Sequence, residues 1–396
     1  MTAPLRALFG PARPPQTAAR PAGSRGASRA RRRIPLVMWA AVAWLVFVGL
    51  HRALSGRVWW WQLPELVPPL AFAAVPVLLL AAALAARRRR GTAVVVALVS
   101  LTLGGGASGL NLAALWHRAA PAPPDAIKVF SWNTWYWDQR AEGGQPMPPP
   151  TGTPPRDVAD FYRYLRAQDA DVLLLQEYVY FSAASRPIRV NDLDRLRREF
   201  PGYHIATASE MVTLSRFPIV LERGLDLRPW AEDGSDTPVP PGSDWPGFYT
   251  VKTLRTDVRV GSSTFSFYNA HINSPVDPSS TGLDPRRLTR TEHEARKANL
   301  RALAADIQAN PLPAVLAGDF NASPAMGILR LLPGRMADAT PALGSLYPAT
   351  WDDRWPWWRI DWAFTTPEIT VHDYRLVRSN GLSDHSGQRL VISLNR

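Results

Sequence analysis

The chain contains no cysteine. That absence excludes a disulfide scaffold, thiolate catalysis and any cysteine-ligated zinc or iron–sulfur site. It leaves the compartment open, because cytosolic and exported proteins can both lack thiols. Two nucleophile and nucleotide signatures are also absent: there is no G-x-S-x-G elbow and no G-x-x-x-x-G-K loop. Acidic residues are almost missing from the first 90 positions, where Glu65 stands alone against 14 lysines and arginines. The formal net charge of +12 therefore belongs to the N-terminal region, since residues 91–396 carry 31 basic and 32 acidic side chains. A protein that grips nucleic-acid phosphates needs a basic face on the binding domain itself. Overall basicity is thus no evidence for nucleic-acid binding here. The 396 residues, 46% of them hydrophobic, suit one large domain with an appendage, or two domains.

Residues 1–33 are rich in Arg, Ala, Pro and Gly, the composition of a disordered basic tail, and end in Arg31-Arg32-Arg33. Three apolar stretches follow within residues 34–117: Ile34–Leu50, Leu66–Ala86 and Thr92–Trp116. Each approaches the roughly 20 residues that cross a bilayer as a helix. The first alone could be a signal-peptide core, but no small-residue cleavage site ends it and two more stretches follow. Arg31–Arg33 precedes the first stretch and Arg87–Arg90 separates the second from the third. The positive-inside rule places both runs, with the N-terminus, in the cytoplasm and Trp59-Trp60-Trp61 in the outer interfacial belt. Three crossings then deliver everything after about residue 117 to the extracytoplasmic side. Gly104–Gly106 allows close helix packing or weakens the third span. Residues 118–126, rich in Pro and Ala, read as a stiff linker to a domain spanning 127–396.

In that domain strands and helices alternate. Ile127–Asn133 and Asp171–Glu177 read as strands, and Asp157–Gln168, with apolar residues at 158, 161, 162 and 165, as a helix. Asn191–Phe200 reads as a charged helix. His204–Ser215, Tyr249–Val260 and Thr264–Ala270 read as strands, the last two a hairpin through Gly261-Ser262-Ser263. Thr291–Gln308 is an amphipathic helix before the strand Ala314–Ala317. Arg359–Phe364, Thr370–Val377 and Arg389–Leu394 complete a strand-rich end, and proline-rich Gln145–Pro155 and Arg228–Pro246 read as surface loops. The pattern predicts an α/β sandwich with helices outside two packed sheets.

Polar residues gather at predicted strand ends: Asn133, Glu177, His271, Asp319, Asn321, Asp361, Asp384 and His385. Strand ends are where an α/β protein presents side chains to a ligand. Singly, each has a structural alternative: Asp319-Phe320-Asn321 could cap a helix before Pro324, Asp384 could cap a turn, and His271 could be a packed strand-end histidine. Together they offer a coherent chemistry. Glu177, Asp319, Asn321 and Asp384 are hard oxygen ligands of the kind Mg²⁺ or Mn²⁺ prefers. His271 and His385 supply imidazoles for proton transfer or for holding a phosphoryl oxygen, and Asp361 is a carboxylate that could orient a histidine. The set suits metal-assisted attack of water on a phosphate ester.

The ordered motifs Trp132-Asn133, Gln176-Glu177, Ser215-Arg216-Phe217-Pro218, Asn269-Ala270-His271, Gly318-Asp319-Phe320-Asn321, Arg359-Ile360-Asp361 and Ser383-Asp384-His385 resemble the endonuclease/exonuclease/phosphatase superfamily. That group includes deoxyribonuclease I and the neutral sphingomyelinases. The resemblance implies a four-layered α/β sandwich, here preceded by three transmembrane helices. It also implies Glu177 as principal metal ligand with Asn133 beside it, and His385 as general base oriented by Asp361. Asp319 and Asn321 would position nucleophile and phosphate. Asp384 would touch a metal or support His385, and His271 would clamp the phosphate or donate a proton to the leaving group.

Three spans with this domain are similar to a membrane-anchored bacterial branch of phosphatases linked to glycopeptide resistance. The expected substrate is a lipid-linked phosphate, pyrophosphate or phosphodiester at the bilayer, and Trp351–Trp358 beside Asp361 is expected to dip into the interface or to pack in a loop. An extracytoplasmic nuclease is the alternative, with Arg286, Arg287 and Arg290 as its candidate basic track. A sphingomyelinase-like diesterase is a further one, and a degenerate binding module the last. No protein partner is legible.

Overall fold

A computed structural model describes residues 25–85, 90–118, 120–137, 157–181, 186–232, 239–275 and 285–395, with backbone only for 25–35, 90 and 285–289. Most of the basic tail, Arg87–Arg89 and Gln145–Pro155 lie outside the described residues, as do the side chains of Arg286 and Arg287.

The N-terminal region forms α1 (Arg25–Leu54), α2 (Ala71–Ala85) and α3 (Arg90–Gly104). Among the described residues two helical stretches are long and apolar enough to cross a membrane, Leu36–Leu54 and Gly91–Ser108. The middle stretch departs from expectation: α2 has only 15 residues, and a 61° bend separates it from the short 3₁₀ turns of Trp59–Leu66. Pro68-Pro69 accounts for the break, because proline lacks an amide donor and pushes its predecessor out of helical geometry. The third stretch also stops earlier than Trp116. α3 ends at Gly104, a 3₁₀ turn follows, and Gly109 turns the chain at φ +75°.

The remainder builds two six-stranded sheets. The strands are β1 (Ile127–Asn133), β2 (Val172–Gln176), β3 (Val179–Phe181), β4 (Pro187–Arg189), β5 (His204–Ala208), β6 (Met211–Ser215), β7 (Ile219–Asp226), β8 (Val251–Val260), β9 (Ser263–His271), β10 (Ala314–Asp319), β11 (Ala337–Asp338), β12 (Asp361–Thr365), β13 (Ile369–Val377) and β14 (Gly387–Leu394). The first sheet runs β13-β14-β1-β2-β6-β5 and the second β11-β12-β10-β9-β8-β7, while β3 and β4 form a small hairpin. His204–Ser215 is therefore a hairpin rather than one strand, turning at Ser209 (φ +55°) and Glu210. The expected loop Arg228–Pro246 contains a 3₁₀ turn at Arg228–Trp230.

Alternation along each strand separates the layers. Val129, Val172 and Leu174 of the first sheet pack against Val258, Phe265, Phe267 and Val315 of the second. On the outer face of the first sheet, Phe130, Trp132, Leu173 and Leu175 meet α4 (Val158–Ala167) through Phe161, Tyr162 and Leu165, and α5 (Leu193–Glu199) through Leu196. Both faces of β2 are thus apolar, which is why its sequence is a continuous hydrophobic run. After the short α6 (Pro246–Thr250), α7 (Pro285–Ala309) covers the second sheet with Leu300, Leu303 and Ile307, one helical stripe. The order helix, sheet, sheet, helix gives four layers.

Candidate active site

β1 and β2 run parallel, so Asn133 pairs with Gln176 and Glu177 follows at the strand end. In the second sheet β9 and β10 run parallel with Asp319 opposite His271, and β12 returns antiparallel with Asp361 opposite Asp319. The segment before β14 adds Asp384 and His385. One end of the sandwich thereby gathers all eight sequence-predicted residues. Beneath them Gln176 and Asn269, both fully buried, tie the sheets: Gln176 Nε2 donates to Asn269 Oδ1 at 2.6 Å, and Asn269 Nδ2 donates to the carbonyls of Leu175 and Val212 at 3.0 Å.

Local backbone geometry aims these groups. A Cβ at Gly318 (φ +148°) would stand 1.9 Å from the Ala270 carbonyl oxygen, so only glycine lets β10 approach β9 this closely just before Asp319. Asp319-Phe320-Asn321 ends a strand and caps no helix. Glu177 (φ +62°) and Asn321 (φ +47°) take left-handed backbone, unusual for a glutamate. Glu177 is held there by two bonds, accepting from Asn133 Nδ2 at 3.0 Å and from the Tyr136 amide at 2.9 Å. Asp319 Oδ1 accepts from the Asn321 amide at 2.7 Å, and its Oδ2 accepts from Asn133 Nδ2 at 3.1 Å and Asn321 Nδ2 at 3.2 Å.

Each histidine has its own carboxylate. His385 Nδ1 donates to Asp361 Oδ2 at 2.9 Å, which fixes the tautomer, and Nε2 faces Asp319 Oδ2 at 3.7 Å and Asp384 Oδ1 at 3.9 Å. Burial opposes a charged imidazole, but the carboxylates of Asp361, Asp319 and Asp384 hold His385 well above the usual histidine range. His271 Nδ1 lies 3.2 Å from Glu210 Oε1, with Nε2 3.7 Å from Asp319 Oδ2 and 3.9 Å from Glu177 Oε1. Its pKa is raised too, with burial outweighed by the charge of Glu210 and then of Asp319.

Sequence reasoning missed Glu210, because it sits in a turn hidden inside an apparent single strand. Its one signal is being the lone acid in the run His204–Ser215. Glu210 pairs with Lys252, itself buried, and despite its own burial Lys252 and His271 hold it down at about 2. Asp353 was also missed. Buried itself, it accepts from Ser379 Oγ at 2.9 Å and Ser386 Oγ at 2.5 Å, bracing the segment that carries Asp384 and His385. Ser383 Oγ accepts from the His385 amide at 2.9 Å and donates to the Asn133 carbonyl at 2.8 Å.

The carboxylates crowd one another. Burial, together with the charges of Asp384 and Glu210, pushes Glu177 up, and burial with Asp361 does the same to Asp319. Two like charges about 5 Å apart repel by roughly 3 kcal/mol at an effective dielectric near 20. Among the described residues Asp384 Oδ1 is buried without a hydrogen-bond partner, and Asp319, Asp361 and His385 bring ligand atoms within 4.8 Å of one another. An oxygen-rich cluster short of positive charge fits a hard divalent cation.

The family profile described as Endonuclease/Exonuclease/phosphatase matches residues 107–385, from the end of the helical region to His385. The chain belongs to this family. Members are hydrolases of phosphodiester bonds and generally depend on divalent metal, in keeping with the buried Asp319–Asp361–His385 group. Among curated proteins no sequence relative matches. Among solved structures, the endonuclease/exonuclease/phosphatase from Beutenbergia cavernae DSM 12333 is similar at 18% identity, covering 68% of this chain and 72% of its own, with a TM-score of 0.47. One from Bacteroides vulgatus stands at 16% identity, 68% and 99% coverage and a TM-score of 0.45. Sphingomyelinase C from Streptomyces griseocarneus stands at 16% identity, 67% and 99% coverage and 0.41. At such identities and scores no activity transfers from them.

Proposed function

We propose that this protein is a membrane-anchored phosphoesterase that uses Mg²⁺ or Mn²⁺ to hydrolyse the phosphate ester or pyrophosphate bond of a lipid-linked substrate on the extracytoplasmic side. The observation that carries the reading is the convergence of two carboxylate-paired histidines on Asp319, beside an exposed aromatic rim. Trp351, Trp355 and Trp357 are 37%, 77% and 61% exposed, and Trp351 Nε1 donates to Asp384 Oδ2 at 2.9 Å, so the rim adjoins the polar cluster. Tryptophans beside a polar site suit the boundary between headgroups and acyl chains.

The anchor would comprise α1, α3 and, as a third crossing, Ala71–Ala85, with Trp59–Leu66, the other arm of the bent pair, at its outer end against the α/β domain. Supporting the orientation, Ser55 and Asn111 meet the α/β domain at the helix ends away from Arg31–Arg33 and Arg90. With both arginine runs cytoplasmic, residues 127–396 lie outside.

Glu177, with Asn133 and Asp384, would hold the cation, because neighbouring carboxylates crowd Glu177 and Asp384 Oδ1 has no hydrogen-bond partner among the described residues. When bound, the cation supplies charge neutralisation and Lewis acidity at the phosphoryl group. His385, its Nδ1–H committed to Asp361, takes the proton of the attacking water at Nε2. Asp361 then stabilises the imidazolium. His271, kept protonated by Glu210, clamps a phosphoryl oxygen or donates its proton to the leaving oxygen. Asn321 and Asp319 orient nucleophile and phosphate.

Phosphate release from polyprenyl diphosphate and from phospholipid vesicles, with and without Mg²⁺, tests the reading. No turnover by the wild type, or equal turnover by His385→Ala, would eliminate it. Plasmid nicking in place of lipid turnover would favour the nuclease, which the near-neutral balance of residues 91–396 argues against.

A further inference from the structure

The connection between the first two apolar helices does more than join them. Its polar groups are buried against the two segments that leave the catalytic strand ends. Ser55, fully buried, accepts from the Gly327 amide at 2.6 Å through Oγ and from Arg330 Nη2 at 2.5 Å through its carbonyl. His51 Nε2 lies 2.6 Å from the Ala325 carbonyl oxygen. Gln62, 2% exposed, donates to the Pro275 carbonyl oxygen. Backbones touch as well: a Cβ on Gly56, at φ +71°, would fall 2.5 Å from Gly327 C and Ile328 N. Ala325–Arg330 follows Asn321 out of β10, and Pro275 follows His271 out of β9.

Arg296 of α7 joins these contacts to the site. Only 2% exposed, it donates Nη1 to the carbonyls of Asn273 at 2.8 Å and Asn321 at 3.0 Å, which stand two residues past His271 and Asp319. A buried guanidinium is costly without an opposite charge nearby. The carboxylates whose charge acts on it are Glu65, Glu292 and Asp319, and of these Glu65 alone comes from the connection. Glu65 is 3% exposed and fixed by accepting from the Gly56 amide at 2.5 Å. It is also the only acidic residue among the first 90.

We propose that the Ser55–Leu66 connection is a positioning element of the catalytic centre, in which Glu65 counterbalances Arg296 and Arg296 fixes the backbone that carries Asp319, Asn321 and His271. The anchor then serves as part of the active-site wall and not only as a tether. Glu65 and Arg296 touch no reacting atom and act through Asn321 and Asn273. The inference rests on the reading of that cluster as catalytic, yet the structural coupling can be measured without any substrate.

The test uses the full chain in nanodiscs, comparing Glu65→Gln, Glu65→Asp and Arg296→Lys with Asn111→Ala. The last variant loosens a separate anchor contact, in which Asn111 Nδ2 donates to the carbonyls of Thr340 and Leu343. Hydrogen–deuterium exchange is expected to rise about tenfold in the segments 319–327 and 271–275 of Glu65→Gln and Arg296→Lys, and not in Asn111→Ala. With bis(p-nitrophenyl) phosphate, Glu65→Gln is expected to lower kcat about tenfold at nearly constant KM, with partial rescue in Glu65→Asp. Unchanged exchange in those segments, or the same rise in Asn111→Ala, overturns the proposal, as does an unaltered kcat. A wild type that turns over no phosphoester while the exchange coupling holds refutes the phosphoesterase reading and leaves the positioning role standing.

Discussion

His271 and His385 face each other across a single carboxylate oxygen, the Nε2 of each lying 3.7 Å from Asp319 Oδ2. One is paired with Glu210 from the first sheet, the other with Asp361 from the second. The proposed acid and base are thus separated by their partners and share one neighbour. Replacing His385 by Ala is expected to lower kcat/KM by about 10²–10⁴-fold, the usual worth of a positioned proton acceptor. His271→Ala should fall in the same range, and the double variant should cost much less than the product of the two. Steady-state kinetics on the three variants checks this; fully multiplicative losses would separate the two residues into independent steps.

The pH profile follows from the carboxylates around His385. Its pKa is raised in the folded protein, and only the neutral imidazole accepts a proton, so activity should climb with pH through a limb lying above the ordinary histidine range. Asp361→Asn removes a charge that raises it, and the limb should move toward acid while the maximal rate drops. Stability runs the other way: the Asp361 contribution is complete below the unfolded histidine pKa and is lost as pH rises through the folded value. Profiles of kcat/KM and denaturant unfolding between acid and alkaline pH measure both. A limb that stays in place would remove Asp361 from this role.

Cation binding should be visible without turnover. A ligand that binds only the folded state at about 100 times its Kd stabilises by about 2.7 kcal/mol, so Mg²⁺ or Mn²⁺ should raise Tm and EDTA should reverse the rise. Glu177→Gln should flatten that dependence on cation concentration, while Trp355→Ala, on the exposed rim, should retain it. A cation-independent Tm in the wild type would count against the metal site.

Glu210 and Lys252 form a buried pair, 1% and 6% exposed at their side chains. Removing one partner of such a pair typically costs about 3–5 kcal/mol because the other is left charged and dry. Glu210→Gln should therefore destabilise markedly, whereas Glu210→Gln with Lys252→Met should recover much of the loss and still leave His271 without its carboxylate. Chemical denaturation paired with activity distinguishes the two effects.

Much of the α/β domain was legible because its signals are local. β1 and β14 bury alternating residues against the facing sheet, β2 is a continuous apolar run between two layers, and α7 carries a stripe at helical spacing. The G-D-F-N and S-D-H segments announced Asp319, Asn321, Asp384 and His385 because each ends or precedes an apolar strand. β7 was not legible, since Val220, Glu222 and Arg223 leave an edge strand with no alternating pattern. Glu210 and Asp353 were hidden for another reason: what distinguishes them is a partner far along the chain, Lys252 and His271 for one and Ser379 and Ser386 for the other. The contact between Ser55–Leu66 and the β10 exit could not be anticipated from hydropathy, which sees an anchor and a domain but no interface between them.

Because Asn133, Glu177, Asp384 and His385 come from the first sheet and His271, Asp319 and Asp361 from the second, neither half of the sandwich holds a working centre. Only when the two faces have closed, with Gln176 clasping Asn269 beneath, does the proposed hydrolytic centre exist at all. On that proposal a nascent or partly unravelled chain is chemically mute, unable to cut any phosphate it meets before maturation is complete.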